Sequence, residues 1–373
     1  MRIGIDLSAL STRRTGVGSF TYYMTKHLLN LGFEGSLLGL SSGWQPIEPG
    51  ALKDRFPQRH IRIPTRALYK LWEWSGRPKV DSLLGGVDIY HATNYYLPPV
   101  EQARRVLSIY DLGFLKEPSW GSPKIVGPYS RNMRRFARQA DAIITCSQAS
   151  KQDIVDLLYA EPEKVTVTYG AVDDTFKPVS RPMAVDYLAR EHGIQLPFLL
   201  YVGTLEPRKN IDGLLDSFAP IARDFPHSLV LVGQQGWNMA HLDDKIQALG
   251  LQDRIHRVGY LPQHHDLAHF YSAAELFFFP SFYEGFGLPV LEAMTCACPV
   301  VCSDRGSLPE VVGDAARMVD PDDVEMMATT LRMVLVNERL RTHMMQQGRK
   351  QAAAFTWRRC AEDTLSVYRG LMA

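Results

Sequence analysis

The sequence predicts an α/β chain made of two doubly wound domains with parallel sheets. Three observations carry that prediction. At 373 residues the chain has room for two domains at roughly 100–200 residues each. Short β-rich runs alternate with longer helix-like segments along nearly its whole length. Apolar strands separated by amphipathic helices require crossover connections, and so parallel sheets covered on both faces. The alternation breaks near residues 175–197, where Pro178, Pro182 and a polar segment ending at Pro197 disfavour a continuous element.

The first run, residues 2–6 (RIGID), reads as a buried strand followed by a polar turn rather than a secretion signal, which would carry a basic region and a longer apolar stretch. Further strands are expected at 36–40, 89–91, 106–110, 142–146 and 164–169, with helices at 19–31 and 124–139 between them. In the second half the strands are 198–203, 229–233, 255–258, 276–279 and 299–302. Helices near 210–219, 239–249, 264–274, 288–297 and 323–353 follow or separate them. In open sheets of this kind ligands bind beyond the carboxyl ends of the strands, so the loops there are where chemistry is sought.

Composition removes several classes. Hydrophobic residues make up 46% and the formal net charge is +1, which excludes a disordered chain. The longest apolar stretches, such as 276–280, fall far short of the ~18 residues that a spanning helix needs. Five cysteines (Cys146, Cys296, Cys298, Cys302, Cys360) are too few and too odd in number for a disulfide scaffold. A soluble cytoplasmic protein is the expectation. Charge is unevenly spread: residues 1–186 carry a net +6 and residues 187–373 a net −5. The window 51–80 accounts for the first excess, with Lys53, Arg55, Arg59, Arg62, Arg66, Lys70, Arg77 and Lys79 against Asp54 and Glu73. Such asymmetry points to an anionic partner for the N-terminal half.

Two stretches carry most of the chemical signal. In Pro280-Ser-Phe-Tyr-Glu284-Gly285-Phe286-Gly287-Leu288-Pro289-Val-Leu-Glu292 a strand ends, two glycines follow and a helix opens. Bare amides and a helix start make an anion site suited to a diphosphate. Glu284 and Glu292 offer acceptors for vicinal hydroxyls, a sugar on one and a ribose on the other; alternatively they only complement the helix dipole. In Gly203-Thr-Leu-Glu-Pro-Arg208-Lys209-Asn210 a fork and a point charge follow an apolar strand, suited to a departing pyrophosphate. An ordinary solvated basic turn is the competing reading. Weaker signals are Gly16 and Gly18 after the first strand, short of the third glycine of a dinucleotide fingerprint, and His91 at another strand end.

Taken together, the spacing Glu284-x7-Glu292, the Gly-Thr-Leu-Glu-Pro-Arg-Lys-Asn run and the later Pro299-Val-Val-Cys-Ser-Asp304 with Leu308-Pro309-Glu310 resemble family-4 retaining glycosyltransferases of the GT-B fold, over essentially the whole chain. The resemblance implies two Rossmann-like domains facing a central cleft: an acceptor-binding domain at 1–180, a nucleotide-sugar-binding domain at 181–355, and a closing helix at 356–373 that crosses back to the first. It implies that Glu284 contacts the donor sugar, Glu292 holds the ribose, and Arg208 and Lys209 neutralise the leaving diphosphate. His91 would approach the sugar from the first domain. Gly203, Gly285, Phe286, Gly287 and Leu288 would border the donor, Gly16 and Gly18 the acceptor or phosphate, and the strand end at Tyr260 and Leu261 the nucleobase. One departure is visible: relatives often carry His-Asp where this chain has Tyr110-Asp111, and a tyrosine does not titrate near neutral pH. Tyr110, Asp111 and Asn94 are candidates on the acceptor side, and the tyrosine argues against an acid–base role at position 110.

The implied reaction retains anomeric configuration, the acceptor hydroxyl attacking on the face from which the diphosphate departs. It rests on positioning and electrostatics, with neither cofactor nor metal. Asp320-Pro-Asp322 reads as a turn and cap rather than a metal motif, and Cys296-x-Cys298-x3-Cys302 as small buried residues rather than a zinc site. The expected donor is a nucleotide diphosphate sugar, with GDP-mannose preferred. The expected acceptor is a saccharide or a polyprenyl-diphosphate-linked lipid, for a surface polysaccharide or glycolipid. Leu68, Tyr69, Leu71, Trp72 and Trp74 lie among the positive charges of 51–80, and Arg131, Arg134, Arg135 and Arg138 form a second basic face. Basic segments with aromatics suit an anionic membrane surface, the inner face of the cell membrane here; a solvated face over buried tryptophans competes. No nucleic-acid motif is present. The rival functions are a sugar-nucleotide epimerase on the same scaffold and a non-catalytic nucleotide-sugar-binding scaffold.

Overall fold

The computed structural model describes every residue except 11–15, 33–34, 48–49, 53–54, 122 and 262–263. Thr15, Lys53 and Asp54 thus lie outside the described residues. The chain divides into two compact units. The first holds Met1–Lys116, Pro123–Gly170 and Thr356–Ala373; the second holds Glu117–Ser122 and Ala171–Phe355.

The first unit is built on seven parallel strands: β1 (Arg2–Asp6), β2 (Ser36–Ser42), β3 (Gln58–Ile61), β4 (Ile89–Ala92), β5 (Arg104–Ser108), β6 (Ala142–Thr145) and β7 (Val165–Val167). Their order is β3-β2-β1-β4-β5-β6-β7. The second has six: β8 (Phe198–Val202), β9 (Ser228–Val232), β10 (Ile255–Gly259), β11 (Leu276–Phe279), β12 (Val300–Ser303) and β13 (Arg317–Val319), in the order β10-β9-β8-β11-β12-β13. Each sheet winds outward from its first strand in both directions, so the order reverses between β1 and β4 and between β8 and β11. At such switch points the flanking connections leave to opposite faces and open a crevice beyond the carboxyl ends. The central strands are continuous apolar runs, FLLYV in β8 and LFFF in β11, buried at every residue, as strands covered on both faces must be.

Two strands escaped the sequence reading. β3 (QRHI) and β13 (RMV) are edge strands with exposed residues and no apolar pattern. The helix expected over 323–353 is two, Val324–Val336 and Glu338–Ala352, because Asn337 leaves helical geometry and caps the second through Leu340 N–H at 3.0 Å. The interruption at 175–197 contains a helix, Arg181–His192.

The division between units also differs from the expected 180/181, falling at Gly170/Ala171. The physical reason is local: Phe176 meets the Tyr271 ring edge-on at 6.2 Å, and Val179 N–H donates to Ser272 Oγ at 3.0 Å. The insertion Glu117–Ser122 joins the second unit because Trp120 stacks on Phe282 and Tyr283, with centroids 6.2 and 6.1 Å away. The closing segment belongs to the first unit, where Trp357 stacks on Tyr23 at 5.2 Å and meets Phe20 edge-on at 5.4 Å.

Candidate active site

The loops after β8 and β11 leave neighbouring strands at the switch point of the second sheet, and this brings the two motifs together. After β8 the backbone makes a short 3-10 turn, Pro207–Lys209, and Asn210 in the left-handed region caps the next helix through Gly213 N–H at 3.1 Å. A backbone bond from Phe282 N–H to the Arg208 carbonyl, 2.9 Å, ties the turn to the loop after β11. Lys209 Nζ then lies 2.5 Å from Glu284 Oε1 and 4.9 Å above the Phe279 ring. Arg208 spreads its fork: Nη2 and Nε donate to Glu206 Oε1 at 2.9 and 3.2 Å, and Nη1 donates to the Tyr283 carbonyl at 2.9 Å and to Glu284 Oε2 at 3.3 Å.

Three of these four charges are deeply placed, and Arg208 is half-buried. Glu206, Lys209 and Glu284 keep only 5, 7 and 5% of their surface. Burial alone would push the Glu284 carboxyl up, but Lys209 and Arg208 outweigh it and hold the group below the usual carboxylate range. Glu206 goes the other way: burial lifts it despite Arg208 and Lys209. The arrangement is two cations and two carboxylates, preorganised and mostly dry, where electrostatic interactions act at reduced dielectric.

The rest of the loop is shaped by backbone constraints. Gly287 has φ 97°, and a Cβ there would come within 2.6 Å of Leu308, so only glycine fits before the helix Leu288–Thr295. Gly285 and Phe286 are buried beside it, Phe286 edge-on to Phe355 at 5.8 Å, and Leu288 opens the helix half-buried. Glu292, one turn in, accepts from Tyr271 Oη at 2.9 Å, and burial lifts its carboxyl to about 7. Gly203 ends the β8 run with its N–H on the Val232 carbonyl at 2.9 Å. Tyr260, exposed, and Leu261, half-buried, follow β10, two strands out from β8.

Sequence reasoning left Glu206, Tyr271, Gly306 and Ser307 without a role. Gly306, at φ 59°, packs so closely that a Cβ would stand 2.6 Å from the Glu284 carbonyl oxygen, and Ser307 donates to that same oxygen from N and Oγ, each at 3.1 Å. A carboxylate two residues before the arginine was the one available sign for Glu206. Nothing local marks the others, because their partners are 21 or more residues away.

In the first unit the expected residues sit differently. His91 does not stand at a surface where it could reach a sugar. It lies inside β4, fully buried, its Nδ1 2.6 Å from Tyr368 Oη and its Nε2 2.8 Å from Ser108 Oγ. Burial pushes its pKa down to about 3, so the ring is neutral and structural. Tyr110 is buried as well, its hydroxyl donating to the Thr93 carbonyl at 3.0 Å, and burial raises its pKa. Asp111 is half-buried and accepts from Gly113 N–H at 3.0 Å, and Asn94 is half-buried after β4. Gly16 opens the helix Gly16–Asn30 in open space, where a Cβ would meet nothing within 4 Å, and Gly18 is buried in its first turn.

The other sequence candidates resolve by geometry. Asp320 and Asp322 pair with Arg305 at 2.7 and 3.4 Å, and Asp323 caps the next helix through Met326 N–H at 2.8 Å. All five cysteines are buried thiols, and among the described residues no group of three His, Cys, Asp or Glu side chains is placed to hold a metal. No helix of the described residues is long and apolar enough to cross a membrane.

Two doubly wound parallel sheets in one chain, with the charged loops at the switch point of the second, are the architecture of GT-B enzymes. Comparison with known proteins gives the particular family. Residues 189–351 match the family model for glycosyl transferases group 1, and residues 14–176 match that for glycosyltransferase family 4. The O-antigen chain mannosyltransferase B of Escherichia coli is 34% identical over 283 residues, 75% of this chain and 74% of the relative. The chain belongs to the group 1, family-4 glycosyltransferases. Among solved structures, the sucrose-phosphate synthase of Thermosynechococcus elongatus superposes with a TM-score of 0.80 at 20% identity, covering 100% of this chain and 99% of that one. Anabaena HepE, crystallised with UDP-glucose, gives 0.75 at 19% identity, covering 100% and 99%.

Proposed function

We propose that this glycosyltransferase is a retaining, metal-independent mannosyltransferase that uses a guanosine diphosphate sugar to extend a saccharide or lipid-linked acceptor in surface-polysaccharide or glycolipid synthesis. The observation that carries the chemistry is the Arg208–Lys209–Glu284 cluster at the switch point. The mannose preference leans on the relative that acts on O-antigen chains; the nucleotide-sugar class leans on the neighbour crystallised with UDP-glucose.

In this reading Arg208 and Lys209 exchange carboxylate oxygens for diphosphate oxygens when the donor arrives, taking up the charge that grows as the glycosidic bond breaks. That role is the one a divalent metal plays in other transferases. Glu284, relieved of part of its pairing, accepts from the donor sugar hydroxyls, and Glu292 from the ribose. Glu206 keeps the Arg208 fork aimed. The acceptor hydroxyl adds on the face that the diphosphate leaves, and its proton goes to a departing phosphate oxygen, so no protein nucleophile is needed. The exposed basic residues around Trp74 support attachment to the anionic inner face of the cell membrane.

A thermal-shift screen against nucleotide sugars, followed by transfer to a lipid extract with and without chelator, tests the proposal. A shift confined to GDP-mannose, with GDP released only when acceptor is added and unaffected by chelator, is expected. Preference for a uridine donor would overturn the donor assignment, and loss of activity on chelation would overturn metal independence.

A further inference from the structure

The loop that carries Glu284 has glycines at 285 and 287, which allow a wide choice of backbone angles, so contacts from outside must fix its course. Two of its residues are held from the side of β12. Ser303 Oγ donates to the Ser281 carbonyl at 2.5 Å, and Ser307 holds the Glu284 carbonyl. Phe282 and Tyr283 lie between those points, and Trp120 braces them.

Trp120 sits in the insertion Glu117–Ser122, which belongs to the second unit. Its indole lies nearly parallel to both rings, 2° from the plane of Phe282 and 17° from that of Tyr283, in the offset stacking that aromatic pairs favour. The insertion is itself well tied. Pro118 opens a 3-10 turn, Glu117 caps it by accepting from Ser119 N–H at 3.1 Å, and Trp120 N–H donates to the Glu117 carbonyl at 3.0 Å. Trp237, from the loop after β9, donates its Nε1–H to the Ser119 carbonyl at 3.3 Å. One indole presses on the loop, and another holds the turn that carries it.

The two residues under the Trp120 ring are those whose main chain grips Arg208. Phe282 N–H meets the Arg208 carbonyl, and the Tyr283 carbonyl accepts from Arg208 Nη1, each at 2.9 Å. When a donor diphosphate takes the place of the Glu284 oxygen, the Tyr283 carbonyl remains the fork's reference point. A shift of that carbonyl moves the fork away from the leaving group, and ~1 Å of misplacement can cost on the order of 100-fold in rate. A tryptophan that merely covered apolar surface would change stability and leave Arg208 alone.

We propose that Trp120 is a positioning residue of the transfer site: stacked on Phe282 and Tyr283, it fixes the backbone that holds Arg208 by both its carbonyl and its guanidinium. The consequence for the reaction rests on the function proposed above; the bracing itself does not. NMR of the whole protein reads the bracing without any ligand, through solvent exchange of the Arg208 Nε–H, assigned by its loss in Arg208→Lys. Trp120→Ala and Trp120→Leu, the second keeping apolar cover without a flat ring, are each expected to speed that exchange about tenfold or more. Trp120→Phe, which can still stack, should stay within about threefold of wild type. Release of GDP from GDP-mannose, with a lipid extract as acceptor, reads the consequence. Trp120→Ala and Trp120→Leu should each slow it about tenfold and Arg208→Ala at least about 100-fold. Trp120→Ala combined with Arg208→Ala should be no slower than Arg208→Ala alone, because the two act as one unit. The inference is overturned if Arg208 exchange or GDP release in both Trp120→Ala and Trp120→Leu equals wild type, if Trp120→Phe loses as much as they do, or if the single losses multiply in the double variant. Absence of GDP release by wild type would count against the proposed function, while the exchange rates still judge the brace.

Discussion

Glu284 is buried with a cation against each oxygen, so neutralising it removes both a candidate ligand and the counter-charge of its neighbours. Glu284→Gln is expected to lower kcat/KM for transfer by at least about 100-fold. It should also destabilise the fold by roughly 3–5 kcal/mol, because Lys209 is left buried against a neutral group. Enzyme assay and urea unfolding measure the two effects, and activity within tenfold of wild type would remove Glu284 from the machinery. Glu292 makes a prediction with a definite sign. Its carboxyl is lifted to about 7 in the fold by burial, against ~4.3 in an unfolded chain. Its stabilising contribution is therefore complete below about pH 4 and is lost as pH rises through 7, to an extent on the order of 3 kcal/mol. Glu292→Gln, neutral at every pH, should gain thermal stability over wild type at pH 8 and not at pH 4. A melting-temperature difference that stays flat between those values would contradict it. The charged motifs were legible from residue types alone. Tyr271 and Ser307 were not, since their only signal is a partner brought in by folding.

At the scale of elements, β8 and β11 were legible because buried parallel strands are unbroken apolar runs, whereas the edge strands β3 and β13 lack that pattern. The same burial misled the reading of His91. A histidine at a strand end looks like a ligand group in sequence, but β4 is a central strand with no exposed face, and the ring bonds inward to Tyr368 of the helix Trp357–Gly370. The neutral ring donates through one nitrogen and accepts through the other, so Tyr368→Phe strands one of them. A loss of about 1–3 kcal/mol is expected, read from the urea midpoint, together with faster proteolysis within Trp357–Gly370. Unchanged stability would mean that the bond is replaced by water. His91 has its own pH signature. Held at about 3 by burial against ~6.5 unfolded, it contributes stability above pH 6.5 that is lost as pH falls toward 3.

For the whole molecule, the first unit is completed by residues from the far end of the chain. Ending the protein at residue 355 removes Trp357 from Phe20 and Tyr23 and Tyr368 from His91, leaving the apolar face of the helix Gly16–Asn30 bare. The shortened chain is expected in the insoluble fraction, and a soluble product with the wild-type melting temperature would contradict that. The basic face is also a property of the assembled unit. Asn132 Nδ2 donates to Glu73 Oε1 at 3.0 Å, which places the helix Thr65–Ser75 against Pro123–Gln139. Trp72 is buried beneath, whereas Trp74 is 86% and Trp44 75% exposed. Arg66, Lys70, Arg131 and Arg135 are exposed on the same two helices. Wild type should co-sediment with anionic vesicles and not neutral ones, and Trp74→Ala should weaken the binding severalfold; equal binding to both vesicle types would reject the surface. What the sequence determined by itself was everything written in local chemistry: the α/β class from hydrophobic periodicity, and the two charged motifs from residue type and spacing. Only the tertiary structure decided which carboxylate holds which cation, that His91 faces inward, and where one unit ends and the other begins. Each of those depends on pairing residues distant in the chain, and strand order, which no local pattern encodes, sets that pairing.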